Sequence, residues 1–437
     1  MGYSSDLELI WVICPNLKSR YHTKNPTSEL NEFISLAKAL PNTDVRLASI
    51  EPLSRVVPKT LFGSGKVSEI SEKILENKIS LVLIDKIITP AQQQNLEKMW
   101  NVKVLDRTAL ILEIFSSRAV TREGVLQVEL AALTYQRTRL VRAWTHLERQ
   151  RGGLGFVGGP GETQLEADKR AIDDTILSIK RKLGKVVKTR SLHRAVRAKR
   201  AQKTVSLIGY TNAGKSTIFN TLTGSNVFTE DMLFATLDPT ARHLTLPNEH
   251  VVMLTDTVGF IANLPTELVA AFRATLEEVL AADLILHIRD ITHIDTETQK
   301  LNVLKILEHL GVSRQVPIIE IWNKIDLLDN DQQEAVKNLA NREENIFPVS
   351  ALELTGIESL KEGLANFLWP TTIKETLLLP FELWKQRLWL YEKKVVTEEI
   401  FSDEGFELEV IWSKEEKTIY FKSKSFYFLF MPVVNPS

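Results

Sequence analysis

GYTNAGKS, residues 209–216, fits the spacing G-x-x-x-x-G-K-[ST] and lies between the apolar run TVSLIGY and the helical pattern STIFNTL. A loop with a strand before it and a helix after it turns successive backbone N–H groups inward, making a concave anion site at a helix N-terminus. The stretch therefore predicts an α/β domain with a mostly parallel sheet and helices on both faces, its central strand feeding a phosphate-binding loop. Within that loop, Lys215 is placed to reach the β- and γ-phosphates of a nucleotide and Ser216 to ligate Mg²⁺.

Further motifs follow in order. VVMLTDTVG, residues 251–259, ends an apolar run on Asp256, whose carboxylate suits Mg²⁺ held through water. Thr257 and Val258 then lead to Gly259, whose backbone N–H can meet a γ-phosphate. IIEIWNKID, residues 318–326, presents Asn323, Lys324, Ile325 and Asp326 after another buried strand. Asp326 selects the base, because a carboxylate accepts from the guanine N1 and N2 donors but faces a bare acceptor in adenine. In FPVSALEL, residues 347–354, the backbone N–H groups of Ser350, Ala351 and Leu352 can meet the guanine oxygen. Between the first two motifs, FATLDPT, residues 234–240, has no helical pattern. Its Thr236 is the candidate second protein ligand of Mg²⁺, available when a γ-phosphate orders the loop.

These residues point to GTP as substrate, with Lys215, Thr236 and Gly259 acting on the transferring phosphate. Phe260 stands where Ras-like proteins carry the glutamine that orients attacking water. An apolar side chain cannot polarise water, so hydrolysis by the chain alone is expected to be slow and to rise when a partner completes the site.

The bulk properties fit such an enzyme. A length of 437 residues suggests about three domains. With 44% hydrophobic and 25% charged residues, the composition is globular. Cys14 is the single cysteine, which excludes an intrachain disulfide and a multi-cysteine zinc site. No signal-peptide pattern and no apolar run of roughly 20 residues is seen, so a cytoplasmic protein is expected. The eight histidines show no metal-ligand spacing.

Before the phosphate loop the pattern is different. LELIWVIC, SELNEFISLAKAL, DVRLASI, KVSEISEKILENK, LVLID, AQQQNLEKMW and VKVLD alternate strand and helix, predicting a parallel α/β unit over residues 1–120. From Gly124, Leu126, Leu130, Leu133, Leu140, Trp144 and Leu147 recur at helical spacing, broken once by Arg137. Leu165, Ile172, Ile176, Ile179 and Leu183 resume it. Two long helices joined by RGGLGFVGGPGETQ, residues 151–164, make a helical hairpin over residues 121–202. Gly153, Gly155 and Gly158 have a G-x-G-x-x-G spacing, but they follow a helix and not a strand, so phosphate binding there is not expected. Insertion of the nearly side-chain-free tip into RNA is the favoured role. Eleven Lys or Arg residues between Lys180 and Lys203, with no Asp or Glu from 175 to 229, favour a polyanion such as RNA over a solvated linker.

Residues 203–370 read as the nucleotide domain and 371–437 as a small C-terminal α+β domain. In the latter, ELEVIWSKEEKTIYFKS, residues 407–423, suggests a β-hairpin. Trp384 and Trp389 share helical spacing with Leu383 and Leu388 and are expected to pack.

FGSGKVSEI (62–70), LDRTALILEIFSSRA (105–119), VLQVELAALTY (125–135) and GGPGETQLEADKR (158–170) resemble characteristic stretches of the HflX family of translational GTPases. The resemblance covers roughly the first 370 residues. It implies a monomeric cytoplasmic GTPase that binds the large (50S) ribosomal subunit and its ribosomal RNA, splitting or rescuing stalled or idle ribosomes under stress. It further implies Mg²⁺ at Ser216 and Thr236. The GTP contacts it implies are Gly209, Tyr210, Thr211, Asn212, Ala213, Gly214, Lys215, Ser216 and Thr217; Phe234, Ala235, Thr236, Leu237 and Asp238; and Asp256 to Gly259, Asn323 to Asp326 and Ser350 to Leu352. A GTPase of ribosome assembly or RNA remodelling, and an RNA-binding adaptor with a nucleotide-stabilised fold, are the alternatives.

Overall fold

The computed structural model describes residues 7–17, 26–150, 160–199, 202–225, 233–234, 240–261, 279–312, 316–343, 345–370, 372–402, 405–413 and 416–421. Two compact units emerge, Met1–Thr245 with Val251–Ile357, and Leu246–His250 with Glu358–Ser437.

In the first unit, β1 (Glu8–Leu17) is covered on both faces, which is why its sequence is a continuous apolar run and not an alternation. Ile10, Val12 and Cys14 join the core formed with α1 (Pro26–Ala37) and α4 (Arg107–Arg118). Trp11 and Ile13 join the other, formed with α2 (Ser64–Glu76) and α3 (Pro90–Trp100). With β2 (Thr43–Leu53), β3 (Leu81–Ile84) and β4 (Lys103–Asp106) they build a parallel sheet of order β2-β1-β3-β4. The alternation read from the sequence is the α/β unit it predicts.

Helices α5 (Arg122–Gln150) and α6 (Pro160–Lys199) follow. Leu126 and Leu130 of the first meet Ile179 and Leu183 of the second in a narrow apolar seam. Arg137, which interrupts the stripe, forms an ion pair with Asp173 across it. The tip glycines Gly153, Gly155, Gly158 and Gly159 lie outside the described residues. Helix α6 continues into the basic run as far as Lys199, and Lys180, Arg181, Lys182, Lys185 and Lys188 are exposed on it.

One buried carboxylate seats α5 on the sheet. Asp106 is 1% exposed and caps α4 by accepting from the Ala109 N–H at 2.8 Å. It also accepts from the Tyr135 hydroxyl at 2.9 Å and from Arg139 at 3.2 Å.

The second sheet contains β5 (Thr204–Gly209), β6 (Thr240–Thr245), β7 (Val251–Asp256), β8 (Leu284–Asp290), β9 (Ile318–Asn323) and β10 (Ile346–Pro348) in the order β10-β9-β8-β5-β7-β6. Only β6 runs antiparallel to its neighbour. All six residues of β5 are buried, as befits a central parallel strand. Helix α7 (Lys215–Thr223) leaves its C-terminal end. Among the described residues no helix is long and apolar enough to cross a membrane.

In the second unit, β11 (Thr372–Leu379), β12 (Val396–Ser402) and β13 (Gly405–Ser413) form an antiparallel sheet of order β11-β13-β12. The hairpin expected over residues 407–423 is not formed. Residues 416–421 are helical, and β13 pairs with β11 and β12 instead. The reason is a capping box: the Ser413 N–H donates to Glu416 at 2.8 Å, and the Glu416 N–H donates to the Ser413 hydroxyl at 3.2 Å. Trp389 packs against Tyr420 as expected, but Trp384 and Leu388 stay 56% and 51% exposed.

Replacing Asp106 removes the one carboxylate to which both Tyr135 and Arg139 of α5 donate. Asp106→Ala is expected to lower unfolding stability by about 3–5 kcal/mol, because Arg139 keeps its charge without its buried counterpart. Asp106→Asn, which retains an acceptor for the cap and for Tyr135, should cost less. Urea denaturation of both variants measures this, and a loss under about 1 kcal/mol for the alanine variant would mean that packing alone seats α5.

Candidate functional site

The quoted motifs meet at the C-terminal end of β5. Lys215 opens α7, is 6% exposed, and donates from Nζ to the Tyr210 carbonyl of its own loop at 2.7 Å. Burial holds its ammonium at about 8, well below the ordinary lysine value, while the nearby Asp256 carboxylate opposes that fall. Ser216 donates to Asp256 at 2.8 Å. The hydroxyl and carboxylate together are a hard oxygen pair of the kind Mg²⁺ takes, and they are the described residues that could hold it. Among the described residues no cluster of three or more His, Cys, Asp or Glu side chains could hold a metal.

The segment after Asp256 closes back onto the loop. Thr257 donates to the Leu207 carbonyl at 2.6 Å. The Phe260 N–H donates to the Gly209 carbonyl at 3.0 Å, and the Thr211 N–H donates to the Phe260 carbonyl at 2.7 Å. Between them Gly259 passes so near that a Cβ there would lie 2.8 Å from both Lys215 Nζ and the Thr211 side chain. Only glycine lets the backbone lie beside this lysine. The Phe260 side chain is buried, so it offers the site no polar group.

On the other side, Asn323 is 2% exposed and uses both ends of its amide. Nδ2 donates to the Ala213 carbonyl at 2.9 Å, and Oδ1 accepts from the Ala351 N–H at 3.1 Å. Gly214, with φ of 91°, makes this possible, since a Cβ would lie 2.2 Å from Asn323 Nδ2. Ser350 donates to Asp326 at 2.6 Å, leaving the second carboxylate oxygen for other partners. Ile325 is buried and Leu352 is 80% exposed. Asn212 is exposed, while Thr217 is half-buried. Leu233 and Phe234 are described and buried, whereas Ala235, Thr236, Leu237 and Asp238 lie outside the described residues.

Two features were not anticipated from the sequence. Lys324 forms an ion pair with Asp290 at the end of β8, at 2.8 Å. A carboxylate closing a buried strand, as in LILHIRD, was the available signal. Tyr210 hydrogen-bonds Asn302 of α8 (Thr296–Leu310) and lies in the field of Glu32 and Arg107 from the first sheet's surroundings, and burial pushes its phenol up. A single sequence cannot reveal so remote a pairing.

Three family models match the chain in succession. The model for the GTP-binding GTPase N-terminal region matches residues 27–116, that for the GTP-binding GTPase middle region residues 118–197, and that for 50S ribosome-binding GTPase residues 204–324. GTPase HflX of Magnetococcus marinus is 46% identical over 354 residues, 80% of either chain. GTPase HflX of Escherichia coli is 40% identical over 393 residues, 88% of this chain and 90% of that one. The chain belongs to the GTPase HflX family. A more distant relative, putative GTP-binding protein 6 of Xenopus laevis, is 34% identical over 398 residues, covering 89% of this chain and 74% of its own. As a member of the HflX family with this phosphate loop, the protein is a GTP-hydrolysing enzyme.

The ammonium form of Lys215 is the one that attracts phosphate, and a bound triphosphate would raise its pKa. Nucleotide binding should therefore take up a proton above pH 8 and weaken by as much as about tenfold per pH unit there. Titration of a fluorescent GDP analogue from pH 7 to 9.5, with calorimetry in buffers of different ionisation enthalpy, measures both effects. An affinity flat across that range would show that the lysine does not titrate.

Proposed function

We propose that this GTPase is a Mg²⁺-dependent switch that binds the large (50S) ribosomal subunit and splits or rescues stalled or idle ribosomes under stress, acting as a cytoplasmic monomer. The observation that carries the ribosomal reading is the path of α6. A single helix bears nine of the eleven basic residues and ends at Lys199, shortly before β5 begins at Thr204 and leads into the phosphate loop. A polycation rooted beside the nucleotide domain suits ribosomal RNA phosphates, which would also give salt-dependent binding. The match to a 50S ribosome-binding GTPase model supports the same partner. In this reading residues 1–120 and the hairpin of 121–202 face RNA, 203–370 bind nucleotide, and 371–437 form a separate small domain.

Within the site, Lys215 and the loop N–H groups hold the β- and γ-phosphates. Ser216 and Thr236, with the Asp256 carboxylate nearby, would hold Mg²⁺, which when bound would supply positive charge to the phosphates. The Gly259 N–H meets the γ-phosphate, and the free Asp326 oxygen reads the guanine N1 and N2 donors. Ser350, Ala351 and Leu352 supply backbone N–H groups to the guanine oxygen. Because Phe260 presents no polar atom, the chain alone has nothing at that position to orient water, and the ribosome supplies what is missing.

Asp326→Asn should move nucleotide preference from GTP to XTP, since an amide can donate to the extra oxygen of xanthine. Competition binding of GTP against XTP reads this directly, and retained GTP preference would mean that another group selects the base. Sedimentation with purified 50S subunits in GDP, GTP and a non-hydrolysable analogue should show binding in the triphosphate states, with GTP turnover stimulated by about a hundredfold or more, the scale on which partners complete such sites. Equal binding in all three states, or turnover indifferent to subunits, would sink the switch.

A further inference from the structure

The nucleotide motifs are not confined to their own sheet. Leu233 and Phe234, just before Thr236, are buried at 6% and 2% exposure, and Phe234 has a φ of 59°. A bulky aromatic residue holds that left-handed conformation only where its surroundings over-determine it. Those surroundings are the last turns of α4. The Phe234 ring meets the Phe115 ring edge-on with centroids 4.7 Å apart, and Arg118 donates from Nη1 to the Leu233 carbonyl at 3.0 Å. The same apolar cluster takes in Val258 and Ile261, on either side of Gly259 and Phe260. One helix end outside the nucleotide domain thus grips the segment leading to Thr236 and shares a core with the segment that carries Asp256.

We propose that Phe115 and Arg118 are positioning residues for the GTPase reaction, holding Leu233 and Phe234 in the core shared with Val258 and Ile261 so that the triphosphate form is favoured over the diphosphate. The proposal rests on the reading of Thr236 as a ligand that matters only when the γ-phosphate is present. Two residues of chain span at most about 7 Å. An anchor at Phe234 therefore limits how far residue 236 can lie from it. Arg118 also donates from Nη2 to the Ala39 carbonyl at 3.4 Å, and because its bond to residue 233 is made to the backbone carbonyl, the grip is independent of what side chain stands there.

The test compares the full chain with Arg118→Gln, Arg118→Lys, Phe115→Leu and Thr236→Ala, measuring the Kd of a non-hydrolysable GTP analogue and of GDP at fixed Mg²⁺, with melting temperature recorded for each. Arg118→Gln and Phe115→Leu are expected to weaken the analogue about tenfold while GDP stays within about twofold. Arg118→Lys, which can donate to the same carbonyl, is expected to restore most of the loss. Equal weakening of both nucleotides would assign the contact to packing alone and overturn the proposal, as would no weakening of either. Thr236→Ala separates the two readings. If it lowers the analogue-to-GDP preference and Arg118→Gln does not, only the positioning role fails. If it leaves that preference unchanged, the assignment of Thr236 fails, and with it the proposal.

Discussion

The side-chain amide of Asn323 ties the nucleotide site together. It is buried at the end of β9 and spends its donor on the phosphate loop at Ala213 and its acceptor on the Ala351 N–H. Two loops far apart in the chain are therefore fixed to one strand end by two buried hydrogen bonds. No apolar side chain could stand in, because a buried carbonyl and a buried N–H would both lose their partners. Gly214 follows from the same constraint, since any Cβ there would strike the amide. The joint thereby ties the phosphate loop ahead of Lys215 and the loop after Ser350 to the strand end that precedes Asp326.

The joint was partly legible in the sequence. A strand, a glycine-bounded loop and a helix in immediate succession leave little freedom for where Lys215 and Ser216 can point. Likewise, the apolar run at the start of β1 and the largely apolar TVSLIG of β5 report strands covered on both faces. Such features depend on local order along the chain, and local order is what a sequence displays. The amphipathic stripes of α5 and α6 were legible for the same reason, down to Arg137, whose place in an apolar stripe is explained by Asp173 opposite it.

What escaped depends on pairing across distance or on competition between two local signals. In residues 407–423 the alternation of apolar and polar residues argues for a strand, while S-x-x-E at Ser413 and Glu416 argues for a helix start, and the capping box prevailed. Trp384 looked like a packing residue because helical spacing was counted without knowing which face the small sheet would cover. The Lys324–Asp290 pair, the Tyr210 environment and the grip of α4 on Leu233 join segments that only the folded topology brings together.

Helix α4 shows why that last class matters to function. Its first turn is capped by Asp106, which also holds Tyr135 and Arg139 of the hairpin helix α5. Its last turn carries Phe115 and Arg118, which hold Phe234 and the Leu233 carbonyl. Twelve helical residues make a rod of about 18 Å, too short to bend appreciably under the forces of a loop rearrangement. A displacement imposed at one end is therefore delivered to the other as rigid motion and is not absorbed along the way. Under the proposed roles, the residues that sense the γ-phosphate and the root of the helix pair that faces RNA are attached to opposite ends of one rigid element. By linkage, whatever RNA contact favours one position of that element must favour the matching nucleotide by the same free energy.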